Sequence, residues 1–169
     1  KQKGGTVFHS KVGEANVAEK MISTKSNAGG EGSSGGFILS DFNYCRDGIL
    51  TSGLIASIIT KDSFRDMLTL MENYHLIRDK IECDSKYHDE LMNILYDKMK
   101  EKYANLQTLD ELKAIIDEDS WVLVRKSNTV NIIRISAESN SLEMVRNIHL
   151  EIKELVKQRY DKIKLKKNN

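Results

Sequence analysis

The stretch that most constrains this chain runs from Trp121 to Glu138 and reads WVLVRKSNTVNIIRISAE. It contains two short apolar runs, Trp121–Val124 and Ile132–Ile135, which are rich in Val and Ile and are separated by polar turn residues. Runs of β-branched residues bounded by Ser and Asn are typical of paired strands. We therefore expect two neighbouring strands joined by a polar loop, around which the second half of the chain has to build a sheet.

The polar loop between these two strands concentrates hydrogen-bond donors. Arg125 and Lys126 supply a guanidinium and an ammonium, Ser127–Thr129 supply two hydroxyls and an amide, and Arg134 follows on the returning strand. A phosphate offers several acceptor oxygens and pairs well with arginine. On residue types alone, two interpretations stay open, namely a phosphate-binding loop or an ordinary polar hairpin turn.

The pattern around this stretch predicts an α+β unit. Its elements are expected in the order of a strand over Tyr74–Cys83, a helix from Asp84 or Ser85 to about Tyr103, a strand over Leu112–Asp117, the two strands above, and a long amphipathic helix capped within Ser139–Ser141. This order, β-α-β-β-β-α, favours an antiparallel sheet with the helices packed on one face.

The first part of the chain follows a different pattern, and we place a domain boundary near Thr60–Ser63. The chain is thereby divided into residues 1–61, the second half of an α/β domain, and residues 62–169. The elements expected before or at the boundary are a strand over Thr6–Ser10, a helix over Gly13–Lys25, a strand over Phe37–Leu39, a well-buried helix over Gly48–Thr60 capped by Asp47, and a short helix over Phe64–Met71. The opening Lys1–Gly5 has no initiator Met and leads directly into an apolar run, which suggests the middle of a larger polypeptide.

Composition excludes several classes of protein. The 26 basic and 25 acidic residues leave a formal net charge of +1, which argues against a general nucleic-acid or membrane-surface binder. No apolar run approaches the length of a membrane span. Cys45 and Cys83 are far apart and lack a metal-type spacing, and isolated thiols of this kind favour a reducing, cytoplasmic location.

Three motifs occur in a specific order along the chain: KVGEANVAEKM, the loop GGEGSSGG followed by DFNYCRDG, and the strand–loop–strand stretch described above. Together they resemble the C-terminal part of the α-D-phosphohexomutases, the family of phosphomannomutase, phosphoglucomutase and phosphoglucosamine mutase. The resemblance extends from about Thr6 to the final helix. It implies the second half of domain three followed by domain four of an enzyme with four domains.

The resemblance also implies roles for particular residues. It implies a sugar-binding set consisting of Glu14, Gly30, Glu31, Gly32 and Ser33. It implies a phosphate-binding set consisting of Arg125, Ser127, Asn128, Thr129 and Arg134. The chemistry of Glu31 is consistent with this, because a carboxylate accepts hydrogen bonds from adjacent hydroxyls and flanking glycines let the backbone come close. Taken alone, the glycine-rich loop is equally typical of a flexible linker.

The activity implied by the resemblance is the interconversion of hexose 6-phosphate and hexose 1-phosphate through a phosphoserine enzyme and a hexose 1,6-bisphosphate intermediate. The phosphoserine and the Mg²⁺ site of the family lie in the first two domains and have no counterpart motif here, so the chain alone is expected to be inactive. It departs from the family pattern at Lys126 and at Val130–Asn131, and Gly35–Gly36 leaves the preferred sugar open. Two alternatives are a non-catalytic sugar-phosphate-binding module and a structural domain whose loop binds nothing.

Overall fold

The computed structural model of the chain describes residues 4–31 and 36–168. These residues form two compact units that divide after Leu68, whereas the sequence pattern placed the boundary after residue 61. The N-terminal unit contains α1 (Glu14–Thr24), β1 (Ala28–Glu31), β2 (Gly36–Leu39), α2 (Gly48–Ile58) and most of α3 (Asp62–Glu72). The C-terminal unit contains β3 (His75–Glu82), a 3₁₀ turn (Ser85–Tyr87), α4 (His88–Lys102), β4 (Asn105–Gln107), β5 (Leu112–Ile115), β6 (Trp121–Lys126), β7 (Ile132–Ser139) and α5 (Leu142–Asn168).

The N-terminal unit is organised around helix α1 and the antiparallel β1–β2 hairpin. Val17 and Met21 of α1 are buried against Ile38 of β2, and these three side chains form a small core. A Cβ atom at Gly29 would overlap the sulfur of Met21, so this position of β1 requires glycine for the helix to pack on the strand. The first half of the glycine-rich stretch is therefore strand structure and not a flexible linker.

Two expectations for this unit are wrong. Residues Thr6–Ser10 form no strand, because no strand in the described part of the chain pairs with them and an isolated extended segment lacks a hydrogen-bond ladder. Helix α2 forms and is capped by Asp47, whose Oδ1 accepts from the Leu50 N–H at 2.8 Å, but it is not well buried. Ile49 is 89% exposed, and no residue of this helix is buried.

The C-terminal unit is an α+β domain with a five-stranded antiparallel sheet in the order β3-β7-β6-β5-β4. The predicted fold class is thus confirmed, and the element order is β-α-β-β-β-β-α. The additional strand, β4, has only three residues and pairs with β5 from Asn105↔Ile115 to Gln107↔Lys113. This strand was not predicted because Asn-Leu-Gln is too short and too polar to show a strand pattern.

The core lies between one face of the sheet and the two helices α4 and α5. Alternate strand residues face the helices, as a period of two requires. The strand side chains in this core are Ile81, Leu112, Ala114, Val122, Val124, Ile133, Ile135 and Ala137, and the helical ones include Leu91, Leu95, Met99, Val145, Ile152 and Val156. The predicted cap of α5 is confirmed, because the Ser141 hydroxyl accepts from the Met144 N–H at 3.2 Å. The opposite face of the sheet has no helix of this unit on it.

Strands β6 and β7 continue past the end of β5. The β5–β6 pairing stops at Leu112↔Val124, whereas the β6–β7 pairing continues to Lys126↔Ile133. The connection between the two longer strands is anchored from its other side by Asn131, whose backbone carbonyl accepts from the Cys83 N–H at 2.9 Å. The sheet therefore presents the β6–β7 connection at one end, held by neighbouring backbone.

Candidate functional site

The predicted phosphate-binding residues lie around the β6–β7 connection, which we call the cationic loop (residues 125–131). Ser127 determines its shape. The Ser127 N–H donates to the Ile132 carbonyl at 3.0 Å, and the Ser127 hydroxyl oxygen accepts from the N–H groups of Thr129 and Val130 at 3.4 and 3.3 Å. Ser127 is only 9% exposed, whereas Asn128 and Thr129 are exposed at the tip. Ser127 therefore organises the turn that presents the next two residues.

The two predicted arginines are brought together by the strand register. Arg125 of β6 lies directly opposite Arg134 of β7, and both are on the face of the sheet that points away from α4 and α5. Lys80 of β3 lies opposite Arg134 on that same row. Like charges directly opposite one another on a sheet destabilise it. An anion between these side chains would relieve the repulsion, so this row of the sheet suits a negatively charged ligand.

Three carboxylates that the sequence analysis did not identify surround the cations. Arg125 Nη1 lies 3.6 Å from Asp110 Oδ2, the Lys126 N–H donates to Glu111 Oε2 at 2.5 Å, and Lys126 Nζ contacts Asp89 Oδ1 at 2.5 Å. The hydrogen bond with Lys126 lowers the pKa of Asp89 and raises that of Lys126. Burial raises the pKa of Glu111 in spite of the N–H donor. The adjacent acids Asp110 and Glu111, just before a predicted strand, were the only sequence signal for this turn.

The predicted sugar-binding residues Glu14 and Glu31 also come together, through Arg46. Glu14 accepts from the Arg46 N–H at 2.8 Å and from Arg46 Nε at 3.0 Å, and Arg46 Nη1 lies 3.6 Å from Glu31 Oε2. The hydrogen bond from the Arg46 backbone, followed by that from its side chain, lowers the pKa of Glu14. The sequence analysis gave Arg46 no role in sugar binding. The RDG sequence that precedes α2 gave no indication that its arginine turns back towards α1.

Glycine at position 30 is required by the hairpin geometry. A Cβ atom on Gly30 would lie 2.9 Å from the Gly36 carbonyl oxygen across the β1–β2 hairpin, closer than real Cβ contacts. Glu31 is the last described residue of β1 and pairs with Gly36. The other two predicted sugar-binding residues, Gly32 and Ser33, lie outside the described residues.

Neither a metal site nor a membrane helix is found in the part of the chain that the structure describes. Within residues 4–31 and 36–168, no three His, Cys, Asp or Glu side chains are placed to hold a metal ion. The Mg²⁺ implied by the family resemblance is expected in the other domains of such an enzyme. None of the described helices is both long and apolar enough to cross a bilayer.

The C-terminal unit thus carries cations beside an exposed loop, and the N-terminal unit carries a carboxylate–arginine cluster. Two family models match the chain in succession. Residues 1–75 match the phosphoglucomutase/phosphomannomutase alpha/beta/alpha domain III, and residues 81–155 match the C-terminal domain of that family. The chain belongs to the phosphoglucomutase/phosphomannomutase family, whose named members are mutases and therefore isomerases.

Curated relatives give the same result. A probable phosphoglucosamine mutase of Methanosphaera stadtmanae is 35% identical over 149 residues, which are 86% of this chain and 33% of that protein. A phosphoglucomutase/phosphomannomutase of Thermococcus kodakarensis is 34% identical over 156 residues, covering 90% of this chain and 33% of its own length. The chain thus spans about a third of the length of the curated relatives that it matches.

A solved structure shows the same fold. The crystal structure of a phosphoglucomutase/phosphomannomutase family protein from Burkholderia thailandensis superposes with a TM-score of 0.74 at 22% sequence identity. The match covers 94% of this chain and 34% of the crystallised chain. At this identity the likeness is evidence for the fold alone.

Proposed function

We propose that this chain acts as the C-terminal part of a phosphohexomutase that interconverts hexose 6-phosphate and hexose 1-phosphate through a phosphoserine enzyme and a hexose 1,6-bisphosphate. In this proposal the cationic loop binds the phosphate that is not being transferred, and the residues around Glu31 bind sugar hydroxyls. The phosphoserine and Mg²⁺ belong to the other domains of such an enzyme, so the chain alone is inactive. The isolated cysteines favour a cytoplasmic location.

The observation that carries the proposal is the pair of opposed arginines beside a preformed turn. Arg125 and Arg134 lie opposite each other on the face of the sheet that points away from α4 and α5, and the Ser127 hydroxyl fixes the turn that exposes Asn128 and Thr129. Guanidinium groups bind phosphate through charge-assisted hydrogen bonds, and hydroxyl and amide donors add further contacts. Phosphoryl transfer depends on positioning and charge stabilisation, so a residue that holds the substrate contributes to catalysis.

The proposal for the N-terminal unit depends on Glu31. Its side chain is 15% exposed and lies beside Arg46, in a hairpin whose Gly30 admits no side chain. A carboxylate in such a place can accept hydrogen bonds from neighbouring sugar hydroxyls. Selection between hexoses requires such polar contacts, because leaving a buried polar group unpaired costs about 1–3 kcal/mol.

The test of the phosphate site is a ¹H–¹⁵N NMR titration of the chain with inorganic phosphate, glucosamine 6-phosphate and mannose 6-phosphate. We expect saturable shifts in the cationic loop with all three ligands. Replacing Arg125→Ala is expected to weaken binding by about 1.5–3 kcal/mol, the range for hydrogen bonds to charged groups. Equal affinity of the Arg125→Ala variant and the wild-type chain would contradict the assignment of the loop.

The test of the sugar site uses the same ligands. If Glu31 contacts the sugar, shifts at Gly30 and Glu31 appear with one hexose phosphate and not with inorganic phosphate. Glu31→Gln is then expected to change the preference between sugars more than the affinity for phosphate. An equal loss for sugar phosphates and inorganic phosphate would show that Glu31 makes no sugar-specific contact. Mutase activity of a longer protein containing this chain, measured with both sugars, separates the enzyme from a non-catalytic binding module.

A further inference from the structure

The end of β6 has no strand partner on the side of β5. The turn between β4 and β5 provides a hydrogen-bond acceptor there instead. Because β5 stops pairing at Leu112, the β6 backbone at Lys126 has no strand partner on that side. Its N–H group donates instead to the carboxylate of Glu111 at 2.5 Å. Glu111 has a φ angle of 64°, in the left-handed region, which non-glycine residues adopt at a conformational cost. The backbone of the turn is therefore strained at the residue whose carboxylate contacts the cationic loop.

The preceding residue of the same turn contacts the neighbouring side chain of β6. Asp110 Oδ2 lies 3.6 Å from Arg125 Nη1, and the two side chains are only 19% and 23% exposed. Two consecutive carboxylates thus hold two consecutive residues of β6, one through its guanidinium and the other through its backbone. Both contacts join segments far apart in sequence, since 15 residues separate Glu111 from Lys126.

We propose that Asp110 and Glu111 are positioning residues that orient Arg125 and the adjacent backbone for phosphate binding. The inference rests on the proposed function of the cationic loop and adds residues that the sequence motif does not contain. A guanidinium has five N–H donors in a fixed plane. A carboxylate that contacts one nitrogen leaves the remaining donors directed at the ligand, and it removes the freedom that a long side chain would otherwise lose on binding.

The opposite interpretation is that Asp110 competes with phosphate for Arg125. The two interpretations predict opposite signs for one substitution. If only charge mattered, Asp110→Asn would remove a negative charge beside the site and tighten phosphate binding. If Asp110 positions the guanidinium, the same substitution loosens Arg125 and weakens binding.

Asp89→Asn provides the matched control. It makes the same change from carboxylate to amide close to the same loop, but Asp89 pairs with the Lys126 ammonium and not with Arg125, and its side chain is 85% exposed. Inorganic phosphate and glucosamine 6-phosphate serve as probes in an NMR titration of the whole chain. We expect Asp110→Asn to bind both about fivefold more weakly, at the upper end of the range for a partly exposed ion pair. Asp89→Asn is expected to bind equally well or slightly more tightly.

A second readout reports the positioning directly. Restricted rotation of the Arg125 guanidinium should give separate Nη resonances in the wild-type chain, and these should merge in Asp110→Asn and persist in Asp89→Asn. For the other carboxylate, Glu111→Ala should weaken binding, and Glu111→Gln should restore it because the amide oxygen still accepts from the Lys126 N–H. Urea unfolding of each variant shows whether the C-terminal unit remains folded.

The possible results distinguish failure of the proposed phosphate site from failure of the proposed positioning role. If wild-type chain and Arg125→Ala bind phosphate equally, or if neither binds, the proposed function of the loop fails and this inference fails with it. If Arg125→Ala weakens binding while Asp110→Asn binds as tightly as Asp89→Asn or more so, the loop is correct and the positioning role is overturned. Merged Nη resonances in the folded wild-type chain would also overturn it.

Discussion

Replacing Arg134 with glutamine should make the C-terminal unit more stable and remove most of its response to phosphate. Arg134 faces Arg125 across the β6–β7 pair and Lys80 across the β3–β7 pair, on the face of the sheet that no helix of this unit covers. If this row is kept cationic for a ligand, its charges repel one another when no anion is present. Removing the central cation should relieve both repulsions.

The magnitude follows from the register. Directly opposite Cα atoms in an antiparallel pair are about 4.5–5.5 Å apart, and exposed guanidinium groups on them lie roughly 7 Å apart. Coulomb's law in water gives about 0.6 kcal/mol for two unit charges at that distance, in line with the ~0.2–1 kcal/mol range for cross-strand pairs. Asp110, 3.6 Å from Arg125 Nη1, offsets part of the repulsion. We therefore expect Arg134→Gln to raise the free energy of unfolding by about 0.5 kcal/mol at low salt.

The assay is urea unfolding followed by the fluorescence of Trp121. This is the only tryptophan of the chain, and it lies in β6, so the signal reports the C-terminal unit. Arg78→Gln is the matched control, because Arg78 is an exposed arginine of β3 whose cross-strand neighbour is the uncharged Ser136. Phosphate at ten times its dissociation constant should stabilise the wild-type chain by about 1.4 kcal/mol relative to chloride of equal ionic strength.

Two results would refute this reasoning. A lower stability of Arg134→Gln at low salt, with Arg78→Gln unchanged, would show that the guanidinium makes favourable contacts that outweigh the repulsion. An unchanged phosphate response in Arg134→Gln would show that the anion binds elsewhere. The increase in stability should also shrink as chloride is added, because salt screens charges over about 10 Å at 0.1 M.

Three further predictions concern particular hydrogen bonds. Ser127→Ala should destabilise the C-terminal unit by about 1 kcal/mol and speed amide exchange at Thr129 in hydrogen-exchange NMR, because two N–H groups lose their acceptor; unchanged exchange would contradict this. The hydrogen bond from Lys153 lowers the pKa of Asp79, so its stabilisation is present above the unfolded value near 3.8 and is lost as pH falls through the lower folded value. The wild-type chain should therefore lose more stability in acid than Asp79→Asn, as measured by urea unfolding at a series of pH values, and parallel curves would count against it. Arg46→Gln should raise the pKa of Glu14 only in part, since the backbone N–H that contributes most remains; a ¹³C carboxyl titration measures the shift, and an unchanged pKa would show that the side chain adds nothing.

Elements with a local signature were predictable from the sequence. Strand β7 and helix α5 carry apolar residues at periods of two and 3.6, and each residue's face follows from its own neighbours in the chain. The failures were of a different kind. Thr6–Ser10 has the apolar composition of a strand but has no pairing partner among the described residues, whereas β4 has a partner in β5 but almost no apolar pattern. Strand pairing depends on two segments, so neither the missing strand at Thr6–Ser10 nor the presence of β4 could be predicted from one segment alone.

Burial of helix α2 failed for a related reason. Its apolar residues indicate that the helix has apolar surface to bury, but they do not indicate what buries it. In the described chain Ile49 remains 89% exposed and Ile59 53% exposed. Apolar area is removed from water only where another element covers it, and the sequence of a helix contains no information about whether that element is present.

The charged residues of the candidate sites were also only partly predictable from the sequence. Arg125 and Arg134 were predicted as phosphate ligands because their residue types suit phosphate and the family resemblance implies that role, but Asp110, Glu111 and Arg46 are defined by contacts between distant segments. Arg46 and Glu14 are 32 residues apart. A formal net charge of +1 gave no sign of a locally cationic row, because the neighbouring carboxylates cancel it in the sum.

The pairing of these cations with neighbouring carboxylates has a functional consequence. A cation with no nearby carboxylate would bind anions through charge alone, with little geometric preference and with strong dependence on salt. A cation held by a carboxylate has a weaker field and a defined direction, so it favours ligands whose acceptor oxygens lie where its remaining donors point. Each candidate site contains an arginine that contacts a carboxylate, Arg46 with Glu14 and Arg125 with Asp110. If positioning is their purpose, neutralising these acids should broaden ligand selection while weakening affinity, a combination that simple charge competition cannot produce.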